Sequence, residues 1–194
     1  MSIFELYFKL GIQHIADLKG YDHILFILTL CAVYRFGEWK KLLVLITAFT
    51  IGHSLTLVLA TLDLVRIDGD LIEFLIPLTI FLTALANVIM INKKSSPALH
   101  YLKYAAALFF GLIHGLGFSN YLRALLGGEK SMILPLFSFN LGIETGQILI
   151  VACILLVSML VVDLLKYPRR DWHLLLSGAG LGISLVLMIE RFPF

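Results

Sequence analysis

Polar residues interrupt this chain at intervals, and between them run apolar stretches of membrane-helix length. A helix needs about 20 residues, at 1.5 Å each, to cross a hydrocarbon core of roughly 30 Å. Six stretches reach or approach that length: Tyr21–Tyr34, Lys41–Leu62, Leu71–Ile91, Tyr101–Leu122, Met132–Leu165 and Trp172–Ile189. The first is short and is accommodated by backward extension or thinned lipid. The fifth is longer than a crossing needs, so its early part, before Pro135, reads as a loop or interfacial stretch. Ahead of them all, Ile3–Ile15 sets Phe4, Tyr7, Phe8, Ile12 and Ile15 near one helical face, the pattern of an interfacial amphipathic helix. Glu5, Lys9 and Gln13 interrupt it and no basic leader or cleavage site accompanies it, so it reads as mature chain. The expected architecture is all-α: a polytopic membrane helix bundle of about six transmembrane helices plus the N-terminal interfacial helix, in a single transmembrane domain over residues 1–194.

Composition supports this reading. Of 194 residues 60% are hydrophobic, with a mean hydropathy of +0.96, whereas soluble domains run about 45–50% apolar. A water-soluble globule of this size could not hide so much apolar surface. The partner is therefore the lipid bilayer, and a homo-oligomer is compatible with it. A formal charge of +2, with the basic residues spread between apolar segments, excludes nucleic acid as a partner. Cys31 and Cys153 lie in apolar runs without disulfide or zinc-finger spacing.

Orientation follows from Lys and Arg in the short loops. Arg35, Lys40, Lys41, Lys93, Lys94, Lys103, Lys166, Arg169 and Arg170 fall on one side; Lys9, Lys19, Arg66, Arg123, Lys130 and Arg191 fall on the other, with both termini. The richer side is expected in the cytoplasm, which places both termini outside it.

Charged and imidazole groups within spans are costly, and are functional by default. Four places carry them: Asp22-His23 with His14 upstream, Gly52-His53-Ser54, Gly111-Leu112-Ile113-His114-Gly115, and Asn140 to Gln147 with Glu144. Counted along their helices, His53 lies about 18 Å and His114 about 20 Å from the cytoplasmic end, and Asn140 and Glu144 about 12 and 18 Å from the outer end. Asp22 and His23 sit at the outer end of their helix. All fall between the bilayer centre and the outer face.

Neutral imidazole suits zinc, nickel, copper and iron, and carboxylate can complete the shell. The expected ligands of a divalent transition metal (nickel, cobalt or zinc) are His23, His53 and His114 with Asp22 or Glu144. Asn140, Ser54 and Gln147 are expected to orient them, and His14 to lie nearby or at the surface. The glycines beside His53 and His114 allow helices to approach closely. Plainer roles compete: buried histidines as packing residues, Asp22 as a helix cap, His100 and His173 as interfacial groups, and Asn87, Thr79 and Thr83 as interhelical hydrogen bonders. Gly178-Ala179-Gly180-Leu181-Gly182 reads as a helix-packing stripe, since no strand precedes it.

Taken in order, Asp22-His23, Gly52-His53-Ser54, Gly111-Leu112-Ile113-His114-Gly115 and Phe139-Asn140-Leu141-Gly142-Ile143-Glu144 resemble the HupE/UreJ family of small membrane proteins. The resemblance runs from about Gly11 to Gln147. It implies a nickel or cobalt permease in the bacterial inner membrane. The family's His-Pro-x-x-Gly-x-Asp-His signature is matched at Gly20, Asp22 and His23; His14 stands further upstream and no proline follows it.

Two functions suit such a site. One is transport of a divalent transition metal, with Glu144 as a protonatable group that helps release it. The other is an intramembrane zinc-dependent hydrolase or transferase acting on a lipid or membrane-anchored substrate at the outer face. There Asp22 or Glu144 would be the general base and Ser54 an oxyanion donor or nucleophile.

Overall fold

The computed structural model describes residues 2–93, 96–126 and 131–193, without the side chain of Asn120; Lys94 and Lys130 of the charge tally lie outside these. Regular structure among the described residues is entirely helical. It comprises α1 (Ile3–Ile15), α2 (Asp22–Cys31), a 3-10 turn (Phe36–Glu38), α3 (Trp39–Thr61), α4 (Gly69–Ile89), α5 (Pro97–Gly117), α6 (Ser119–Leu126), α7 (Ile133–Ser158), π-helical turns (Met159–Leu164) and α8 (Arg169–Glu190).

Four helical stretches are long and apolar enough to cross a membrane: Phe36–Thr61, Gly69–Ile89, Ile133–Leu164 and Arg169–Glu190. They match four of the six expected spans. The other two correspond to α2, with 10 residues, and α5, which has the length at 21 residues but whose apolar run is diluted by His100, Lys103, His114 and glycines. The early part of the fifth stretch is not a loop. Helix α7 begins at Ile133, and Pro135 lies in its first turn, where a missing N–H leaves no bond unmade.

Local chemistry sets the helix starts. Ser2 and Glu5 form a reciprocal capping box on α1, with Ser2 N donating to Glu5 Oε2 at 2.8 Å. Asp68 accepts from Leu71 N at 3.1 Å to cap α4. Ser96 caps α5, and Pro97 opens it at a position that needs no N–H.

The most extensive helix contacts form three pairs: α3 with α5, α1 with α7, and α4 with α8. Glycine explains the first two. A Cβ on Gly111 would overlap the carbonyl oxygen of Phe49, and one on Gly11 would overlap that of Phe139. Backbones therefore touch at both crossings, as small residues permit in membrane bundles. Helix α1, expected at the interface, packs along α7 and buries Tyr7, Gly11 and Ile15. Between the pairs lies a shared core in which Phe26, Phe49 and Phe139 are fully buried.

Candidate metal-ion site

Four histidines from four helices meet in this core. His14 ends α1, His23 opens α2, His53 lies in the middle of α3, and His114 is near the end of α5. Ring centroids are 4.6 Å apart for His14 and His23, 5.7 Å for His14 and His53, 6.0 Å for His23 and His53, and 5.2 Å for His23 and His114. Phenylalanines enclose the group: Phe118 stands 4.0 Å from His14, and Phe49 5.1 Å from His114. His53 and His114 are 0% and 1% exposed.

The nitrogens matter more than the rings. His14 Nε2, His23 Nε2, His114 Nδ1 and both nitrogens of His53 are buried with no hydrogen-bond partner. Each such group ordinarily costs roughly 1–3 kcal/mol. Five of them on one small cluster is a large debt for packing residues and a natural arrangement for groups that meet a cation. As they stand, no three His, Cys, Asp or Glu side chains among the described residues are arranged to hold a metal ion. The rings meet at centroid distances of 4.6–6.0 Å without forming such a group.

His114 has one hydrogen-bonding partner among the described residues, and hydrogen counting assigns its tautomer. Thr79 Oγ1 lies 2.9 Å from His114 Nε2 and also 2.7 Å from the carbonyl of Ile76. The hydroxyl owns a single hydrogen. Given to Ile76, it leaves the oxygen to accept from Nε2–H, so Nδ1 keeps a bare lone pair. That is the nitrogen left without a partner. Thr79 thus acts as an interhelical hydrogen bonder, and Asn87 does the same by donating to the Thr29 carbonyl at 2.8 Å.

The acids expected at the site have other partners. Asp22 Oδ2 accepts from Arg191 Nη1 at 3.0 Å, a pair closed by the C-terminal cap of α8, while Oδ1 is buried without a partner. Glu144 accepts from Thr47 at 2.6 Å and from Thr50 at 2.5 Å. Thr50 also lies 2.9 Å from Gln147 Oε1, and Ser54 donates to Asn140 Oδ1 at 2.7 Å. Glu144 and Gln147 therefore bond to α3 through Thr47 and Thr50, and Asn140 bonds to it separately through Ser54, all along the face between α3 and α7. Successive residues turn about 100° round a helix, so Ser54 faces α7 while His53 faces the imidazoles.

Reasoning from the chain alone left His14 either near the site or at the surface, where the structure puts its ring against that of His23, and it did not foresee Arg191 on Asp22. A signal for the first was present: Gly11-Ile12-Gln13-His14 repeats the glycine-to-histidine spacing of Gly111-Leu112-Ile113-His114. For Arg191, a C-terminal residue 169 positions from its partner, no local signal exists.

No curated protein and no solved structure matches the chain. The family model described as HupE / UreJ protein matches it over residues 1–190.

Proposed function

Because the chain belongs to the HupE / UreJ family, we propose that it carries a divalent transition-metal ion, nickel or cobalt first, through the membrane by way of the four-imidazole cluster. The observation that supports this most is the set of five buried imidazole nitrogens without hydrogen-bond partners. Neutral imidazole is a borderline-soft ligand suited to these metals. Ligands drawn from separate helices can also let an ion go when the helices move.

The residues divide the work. His114 offers Nδ1, held in that tautomer by Thr79. His53 and His23 offer nitrogens that nothing else occupies, and His14 closes the group from α1. Asp22 receives the ion where α2 begins, and Arg191 must yield its carboxylate for it to do so. The phenylalanine wall keeps water out of the cluster, so bound metal is exchanged between imidazoles rather than lost to solvent. Glu144, bonded to Thr47 and Thr50, braces α3 against α7 next to the site.

The test is reconstitution. Purified protein in liposomes is expected to take up nickel or cobalt down a gradient. His53→Ala and His114→Ala should each lose that uptake while keeping helical content. Metal bound by the wild type without any uptake would overturn transport and favour the hydrolytic reading.

A further inference from the structure

Two cavities meet at the end of the bundle that carries Arg35, Lys41, Lys93, Lys103 and Arg169. The first, about 290 Å³, has an apolar wall that includes Leu30, Leu45, Leu82, Ala86, Leu102 and Phe110. The second, about 230 Å³, is polar and is lined by Glu38, Lys93, His100, Lys103, Arg169 and His173 among others. They adjoin, since Tyr34, Asn87, Met90, Leu99 and Lys103 line both. Leu82 and Leu102 on the wall are 45% and 62% exposed, so the apolar chamber opens sideways between α4 and α5, toward lipid.

The mouth is positive. Glu38 is already paired with Lys41 at 2.7 Å. Lys103 Nζ lies over the Tyr34 ring at 5.4 Å, and Arg169 donates Nη2 to the Val33 carbonyl at 3.0 Å, which leaves the rest of its guanidinium fork available. His173 Nε2 is buried there with no partner. Lys93 completes a cationic rim.

An apolar chamber open to lipid behind a cationic mouth fits one chemistry: an amphiphile with an anionic head. Basic pockets between membrane helices hold phospholipid headgroups in this way. We propose that the site binds one anionic phospholipid, with an acyl chain in the chamber and its phosphate at Lys93, Lys103 and Arg169, where His173 Nε2 gains a partner. A free phosphate would leave the chamber unfilled, and a zwitterionic lipid would bring its own quaternary ammonium against the cationic mouth.

The experiment uses the full chain in detergent micelles. Added phosphatidylglycerol is expected to raise the unfolding midpoint by about 4 °C at saturation and to remain on the protein in native mass spectra at one lipid per chain. Phosphatidylcholine and inorganic phosphate should do neither. Ala86→Phe fills the chamber without changing charge and should abolish the shift. Lys103→Gln with Arg169→Gln should abolish it with the chamber intact, and serves alone if Ala86→Phe does not fold. An equal shift with phosphatidylcholine, the full shift with inorganic phosphate alone, or an undiminished shift in the variants would overturn the proposal.

Discussion

Thr79 shows how much a single hydroxyl decides here. It spends its hydrogen on Ile76 and so fixes which nitrogen of His114 stays bare. Groups that orient a ligand typically contribute about 10–100-fold to metal affinity. Thr79→Val should therefore weaken nickel binding by about that factor, read by titration calorimetry, with helical content unchanged. His53 poses the opposite question, because both of its nitrogens are buried and unpartnered. Replacing it with leucine removes that desolvation cost. His53→Leu is expected to raise the stability of the metal-free protein by about 1–3 kcal/mol while losing metal binding. Thermal unfolding in the presence of a chelator checks the first half. A variant less stable than wild type would mean the imidazole is a packing residue. Opposite signs for stability and binding are what a strained functional group produces.

Among the helices, the glycine crossings decide whether the site exists at all. Gly111→Leu would drive a side chain into the Phe49 carbonyl, and the overpacking penalty is about 1–3 kcal/mol or more. It should lower the unfolding midpoint strongly and remove metal uptake with it. Gly178→Ala, where a Cβ meets nothing within 4 Å, should leave both near wild type. The turn after α3 makes a different prediction. Asp63 pairs with Arg66 and, at 3.0 Å, with Arg123 of α6, which also donates to the Ala60 carbonyl. The bond from Arg66, with both guanidinium charges beside it, holds the Asp63 carboxyl below its usual range. A carboxyl that titrates lower in the folded chain adds stability above the unfolded value near 4 and loses it as pH falls. Asp63→Asn should therefore be slightly less stable than wild type at pH 7, with the two converging in acid. The difference should be small, because the pair is open to solvent.

At the scale of the whole molecule, hydropathy alone made the apolar spans legible, because length and apolarity are local properties. Depth counting brought His23, His53 and His114 to a similar level, and in the structure the His23 ring meets both of the others edge-on. It put Glu144 at that level too, but depth says nothing about which way a side chain points around its helix. Glu144 faces Thr47 and Thr50 instead. The place of α1 was hidden for a related reason. Its 13 residues and scattered polar groups give an amphipathic face, and only the distant backbone of α7 reveals what that face covers. The interlocked backbones of α3 with α5, and of α1 with α7, have a mechanical outcome. Each pair is stiff within itself, so the bundle's softest seams run between pairs, and the imidazoles straddle those seams. An ion bridging them would act as a clasp, and its departure would let the halves drift apart. Spin labels at Leu6 on α1 and Leu108 on α5, both exposed, should report a narrower separation when nickel is present than when it is chelated.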